Sequence, residues 1–312
     1  MWQAETFDAD TIERELGWAA ELGFNTARVF LHDLLWQQDE HAFAERIDRF
    51  LAIAEPLGIR PMFVLFDGVW DPHPKLGPQR PARHRVHNSG WVQAPGAEIL
   101  SDPTRRDALQ GYVRGVIDRF HDDPRVLAWD LFNEPDNPNP AYARHELPDK
   151  PQLATDLLTK AFRWAREAAP SQPLTAGLWR PPWTAGDPIE INALMRAESD
   201  VISFHSYQPP EKVSALIDEL GEEGRPLLIT EYLARTAGST FEALLPLLSE
   251  RKVGAYNWGF VSGKSQTIYP WDSWTKTYTA EPDPWFHDVL RPDGTPYRDE
   301  ETRLIRELTG TR

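Results

Sequence analysis

The sequence predicts an α/β fold of the TIM-type (β/α)8 barrel class, with the first strand missing from this chain. Three observations predict it. Short apolar strand-like runs alternate with helical segments from one end to the other, which implies parallel strands joined by right-handed crossovers. The 312 residues suit one barrel of about 250 residues with loop insertions. No Gly-rich phosphate loop follows any strand, which weakens an open, doubly wound, nucleotide-binding sheet as the other fold with this alternation.

The elements follow in order. Asp8 or Asp10 caps a helix that runs to about Leu22 and stops at Gly23. Asn25–Leu31 (NTARVFL) reads as a strand, residues 40–57 as a helix ended by Gly58, and Pro61–Phe66 (PMFVLF) as a buried strand. Residues 67–102, rich in Pro, Gly and His, are too long for a plain connection and mark a functional loop. Asp102-Pro103 opens a helix to about Phe120. Strands at 126–132, 173–178, 201–206, 226–231 and 253–259 alternate with helices at 149–168, 188–197, 211–222 and 240–250. A second long loop, 260–297, holds Trp271, Trp274 and Trp285, and a helix near 299–308 closes the chain. That makes seven strands and eight helices in one domain spanning residues 1–312, with no low-complexity linker.

Composition narrows the partners. With a net charge of −15, the chain lacks the clustered Lys and Arg that nucleic acid or an anionic membrane surface requires. There are no cysteines, so disulfides and thiolate metal sites are excluded. No run of about 18 apolar residues reads as a membrane span. Met1 to Phe7 lacks the basic and apolar regions of a signal peptide. No cofactor is implied, and localisation and oligomeric state stay open.

Barrel enzymes carry their chemistry at the C-terminal ends of strands. Two glutamates sit there: Glu134 in WDLFNEP, and Glu231 at the end of LLITEY. Cleaving a glycosidic bond needs one protonated carboxyl to donate to the leaving oxygen and one carboxylate to attack or stabilise the anomeric carbon. Two glutamates in different environments meet both needs. Taken singly, Asn133-Glu134-Pro135 also reads as a polar strand exit, and Glu231 as a solvated strand end.

On these residues the chain resembles clan A glycoside hydrolases, and most of all family 5, the cellulase-like group whose relatives often carry β-xylanase names. The resemblance spans nearly the whole chain. It implies a retaining enzyme, with Glu134 after the fourth family strand as acid/base and Glu231 at the end of the seventh as nucleophile. Asn133 matches the residue that bonds the sugar 2-hydroxyl. Arg28 in TARVF matches the arginine that keeps the nucleophile ionised. His205-Ser206-Tyr207 matches the His-x-Tyr of the sixth strand, the Tyr bonding the nucleophile and the His supporting the site. Trp258 matches the tryptophan that floors the sugar site. Each also has a plainer explanation: a buried ion-pair partner for Arg28, a satisfied core histidine for His205, core packing for Trp258.

The sequence departs from the pattern in two places. The family has His residues at the end of its third strand, where this chain has Phe66-Asp67-Gly68-Val69-Trp70. Asp67 either bonds sugar hydroxyls or caps the loop. Asn25–Leu31 matches the second family strand, so the first has no counterpart, and the chain looks truncated at its N-terminus. This predicts a gap, or a substitute element, between strands 25–31 and 253–259.

Trp70, His73, His84, His87, Trp91, Trp271 and Trp274 populate the two long loops. The loops predict a pocket for a short or chain-end β-linked oligosaccharide, with Trp70 and Trp271 among its contacts. Residues 73–87 read as a solvated loop, because the spacing of their His residues matches no helical pair of metal ligands. A non-catalytic carbohydrate-binding barrel and a transglycosylase are the rival functions.

Overall fold

A computed structural model describes residues 1–183 and 189–310. Among the described residues seven parallel strands carry the fold: β1 (Thr26–Phe30), β2 (Arg60–Asp67), β3 (Ala128–Asn133), β4 (Leu174–Thr175), β5 (Ile202–His205), β6 (Leu227–Tyr232) and β7 (Gly254–Asn257). They form two ladders, β1-β2-β3-β4 and β5-β6-β7. The seam between the ladders is closed just beyond β4. There Leu178 N–H donates to the Ser203 carbonyl (2.9 Å) and His205 N–H donates to the Leu178 carbonyl (2.7 Å).

The expected strand over 173–178 is regular only at Leu174–Thr175. Gly177 lies against His205, where an added Cβ would stand 3.0 Å from Nε2. The backbone there is shaped by a side chain from the neighbouring strand. Helix 40–57 ends sooner than expected, at Ala54, and finishes as a 3-10 turn over Glu55–Leu57. Two short helices, Asp33–Gln38 and Ala97–Ser101, were not expected; both are too short for periodicity to reveal. The helix expected over 188–197 is observed as Glu190–Glu198; residue 188 lies outside the described residues.

Among the described residues no ladder joins β7 to β1, so the expected gap is present. Side chains bridge it. Thr26 Oγ1 and Tyr256 OH share a hydrogen bond of 3.0 Å, Phe30 meets Trp258 edge-on at 5.8 Å, and Phe24 meets Phe260 at 5.6 Å. The odd-numbered residues of β1 bond to β2, as Leu31 N–H does to Val64, so Phe30 faces the open edge. Its carbonyl accepts from the indole N–H of Trp2 (2.7 Å), whose ring is buried against Phe43, Phe50 and Phe63. The edge carbonyl is thereby satisfied without a strand.

The helices pack by the usual rule. In Glu40–Ala54, Phe43, Ile47, Phe50, Leu51 and Ala54 form one buried stripe, and Asp39 caps the first turn through Ala42 N–H (2.9 Å). Asp102 caps Pro103–Phe120 through Thr104 and Arg105 N–H. Inside the barrel, Met62, Ala128 and Tyr256 make a small apolar cluster, and polar residues lie toward the strand ends. Among the described residues no helix is long and apolar enough to cross a membrane.

Candidate active site

The C-terminal ends of β3, β5 and β6 converge on one pocket of about 970 Å³. Nine of the ten expected site residues line it: Asp67, Trp70, Asn133, Glu134, His205, Tyr207, Glu231, Trp258 and Trp271. The tenth, Arg28, sits beneath them and touches three carboxamide or carboxylate groups.

Glu134 leaves β3 with a left-handed backbone (φ 41°), a conformation a β-carbon disfavours. The neighbouring turn holds it there. Gly68 N–H donates to the Asn133 carbonyl (2.8 Å), and a Cβ on Gly68 would stand 2.4 Å from the Glu134 carbonyl oxygen. The loop beyond is pinned by Lys150, whose buried ammonium donates to the carbonyls of Gly68 (2.6 Å) and Asn137 (2.9 Å) and pairs with Glu146 (2.8 Å). Asn137 then donates to Glu134 Oε2 (2.6 Å), while His205 Nδ1 meets Oε1 at 2.8 Å. Burial pushes the Glu134 carboxyl up to about 7, against the opposing pulls of Asn137 and Arg28.

Glu231 is held from both sides. Arg28 Nη1 donates to Oε1 (2.8 Å) and the Tyr207 hydroxyl to Oε2 (2.7 Å). The ladder irregularities at Phe204/His205 and at Ile229/Tyr232 lie in this same stretch, where a bulge re-aims side chains. Arg28 does not bring Glu231 below the ordinary carboxylate range, as the ion pair alone implies. Burial is the larger effect and raises it, with Arg28 and the Tyr207 bond acting in the opposite sense. Burial disfavours the Arg28 cation, but Asp130 and Glu231 beside it together more than offset this and keep it charged.

The guanidinium also binds Asp130 Oδ2 through Nε (2.9 Å) and Nη2 (2.8 Å), and Asn133 Oδ1 through Nη2 (2.8 Å). Asn133 in turn donates to Asp67 Oδ1 (2.9 Å). Asp67 also accepts from Val69 N–H (3.1 Å) and Trp91 Nε1 (2.6 Å). It therefore caps its loop and fixes the Asn133 amide, while burial raises its carboxyl to about 6. His205 is buried and depressed to about 4, so it is a neutral imidazole near neutral pH.

Glu134, His205 and Glu231 each offer a polar atom within 4.8 Å of the others. Among the described residues they are the group that could share a cation, but the Arg28 charge beside Glu231 opposes one. The other expected aromatics divide. Trp274 lines the pocket, and Trp91 holds Asp67. Trp285 is buried outside the pocket, stacked on Tyr297 at 4.3 Å. His73 and His84 are exposed, as a solvated loop requires. His87 is not: it is 1% exposed, with Nδ1 on the Tyr269 carbonyl (2.8 Å). The second long loop covers it, a contact across nearly 200 positions that local composition does not reveal. Asn137, Lys150 and Asn88 also went unrecognised, and only Asn137 carried a signal, three residues after Glu134.

A sequence profile of glycosyl hydrolase family 10 matches residues 84–177, a span that includes Glu134 and ends before Glu231. The probable mannan endo-1,4-beta-mannosidase F of Emericella nidulans is 30% identical over 95 residues, which are 29% of this chain and 19% of that protein. The match thus covers about a fifth of that relative's length. Similar solved structures include GH5_18 of Streptomyces cattleya in complex with Manβ1-4GlcNAc. It has a TM-score of 0.63 and 16% identity, over 97% of this chain and 76% of that one. The endo-1,4-β-mannanase of Rhizomucor miehei gives 0.62 and 13%, over 99% and 92%. The chain has the fold of the clan A glycoside hydrolases. The exo-β-1,4-mannosidase Op5Man5 of Opitutaceae bacterium strain TAV5 shares that fold, at a TM-score of 0.64 and 20% identity over 99% of this chain and 57% of that one. The profile match falls in family 10 rather than the expected family 5, and the match to GH5_18 is structural. The two agree on the fold of the clan A glycoside hydrolases.

Proposed function

We propose that the protein is a retaining glycoside hydrolase acting on neutral β-linked oligosaccharides. The observation that carries this reading is the spacing of its two carboxylates. An oxygen of Glu134 and one of Glu231 lie within 4.8 Å of each other, facing one pocket. Retaining enzymes hold their carboxyl groups about 5–5.5 Å apart, whereas inverting ones need about 6.5–9.5 Å to admit a water.

The chemistry follows from the two environments. Glu134, raised to about 7, is largely protonated at slightly acidic pH and gives its proton to the leaving glycosidic oxygen. Glu231, aligned by Arg28 and Tyr207, attacks the anomeric carbon as that C–O bond breaks. Glu134, now ionised, takes a proton from water, whose oxygen displaces Glu231. The overall change is addition of water across the glycosidic bond. Neutral His205 hydrogen-bonds Glu134 without adding a charge between the carboxylates.

The pocket, walled by Trp70, Trp258, Trp271 and Trp274, suits a short or chain-end substrate. The mannan-related names of several similar proteins make β-mannosides the first to try, with β-glucosides beside them. A screen of aryl β-glycosides and oligosaccharides, run on the unsubstituted protein and on Glu231→Ala, tests the proposal. Turnover of a β-linked substrate that is lost in the variant is expected. Binding without turnover would make the protein a carbohydrate-binding barrel instead.

A further inference from the structure

Beyond Tyr207 the pocket runs along a wall built by the loops after β2 and β7. Ring contacts mark it out: Tyr207 on Trp271 (5.0 Å), Trp271 beside His87 (6.5 Å), His87 beside Trp70 (5.5 Å), and Trp70 stacked on Trp274 (5.9 Å). His87 and Asn88 line the pocket in this wall, and each is 1% exposed. Three of their polar atoms, His87 Nε2 and the Nδ2 and Oδ1 of Asn88, have no hydrogen-bond partner in the protein. Buried polar atoms are almost always paired, so three orphans on adjacent residues call for a partner from outside the chain.

The backbone of the same two residues is fully engaged. His87 N–H donates to Ser273 Oγ (3.0 Å), and its carbonyl accepts from Trp274 Nε1 (2.9 Å). Asn88 N–H donates to the Ser265 carbonyl (2.8 Å), and its carbonyl accepts from Trp91 N–H (3.0 Å). Both side chains are thus presented from a fixed frame. A carbonyl only accepts, so the Tyr269 contact puts the imidazole proton on Nδ1 and leaves Nε2 a bare acceptor. Burial depresses His87 to about 4, which keeps the ring neutral. Asn88 has a left-handed backbone (φ 47°), which asparagine tolerates. That conformation accounts for the residue type but not for an amide with both ends unpaired.

We propose that His87 Nε2 and the Asn88 amide form a second saccharide subsite, away from the catalytic pair, that reads the hydroxyls of one neutral pyranose unit. This rests on the carbohydrate reading of the pocket. A hydroxyl donates to Nε2, and a vicinal pair accepts from Nδ2 and donates to Oδ1. The indoles of Trp70 and Trp271 take the C–H faces. The pocket-lining side chains of this wall are uncharged, which fits a neutral sugar and not a uronate.

The test uses the full chain carrying Glu231→Ala, titrated calorimetrically with β-1,4-mannotriose and with cellotriose, with and without Asn88→Gly. Glycine keeps the left-handed backbone and removes only the amide. Affinity for at least one trisaccharide is expected to fall by about ten- to a hundredfold in the Asn88→Gly protein. Unchanged affinity for both overturns the subsite, as does failure of the parent to bind either at millimolar concentration. If Asn88→Gly does not fold, the side-chain amide resonances of Asn88 in the parent decide. A shift on titration supports the subsite, and none overturns it. Trisaccharide binding with no hydrolysis by the unsubstituted protein would sink the hydrolase reading and leave the subsite standing.

Discussion

The strand-end cluster pairs most of its polar side-chain atoms, leaving Asp130 Oδ1 and His205 Nε2 without a partner, whereas the loop-built wall leaves both ends of one amide unpaired. At the strand ends Arg28, Asn133, Asp67, Tyr207 and Glu231 bond one another. In the wall, Asn88 and His87 keep buried polar atoms unpaired. The difference teaches a division of labour. Groups that must stabilise developing charge are pre-set by the protein, which removes the cost of reorganising them during the reaction. Groups that recognise a hydroxyl pattern stay unmatched until a ligand supplies the match.

The largest effect that probes the cluster side is loss of the nucleophile. Glu231→Ala is expected to lower kcat/KM by about 10,000-fold or more, measured on the best substrate of the screen. A modest loss would remove Glu231 from the covalent step. Next comes Arg28→Met. Removing one member of a buried charge network costs about 3–5 kcal/mol, because Asp130 and Glu231 keep uncompensated charge. Denaturant unfolding checks it, and a change below about 1 kcal/mol would show the cluster to be loosely organised.

A smaller effect is a pH shift. Ionisation of Glu134 ends its service as acid, so kcat/KM is expected to fall on the alkaline side around pH 7. The Asn137 bond favours the ionised carboxylate; Asn137→Ala therefore moves that limb to higher pH. A limb that stays in place would mean that Asn137 does not tune Glu134.

The smallest effect lies beside the wall, at Asp288. It is buried, raised to about 7, and accepts from Thr267 Oγ1 (2.9 Å). With the folded value above the unfolded one, its stabilising contribution is full below about pH 4 and lost as pH rises through 7. Asp288→Asn is expected to flatten the decline of Tm between pH 5 and 8. An equally steep decline in the variant would assign the slope to other groups.

Much of this was legible in the sequence, for a physical reason. Strand identity sets which residues reach the barrel mouth, so Glu134 and Glu231 could be placed from apolar runs and their ends, whereas Arg28 and His205 were placed by the resemblance to family 5. Glu134, His205 and Glu231 line one pocket, and Arg28 lies beneath them. The short helices Asp33–Gln38 and Ala97–Ser101 offered too few residues to show a period. The burial of His87 depends on Ser273 and Tyr269 in a distant loop, and the net pKa of Glu231 on how completely the site is closed. Both are properties of packing between segments, which motif and spacing do not encode.

The measurement that bears most directly on the paired carboxylates is proton NMR of the reaction in progress. It follows the anomeric signals of the first product released from a β-linked substrate, before mutarotation. The β-anomer appearing first is the result expected when Glu231 attacks and water then displaces it. The α-anomer appearing first would mean a single inverting displacement, and would contradict Glu231 as the nucleophile.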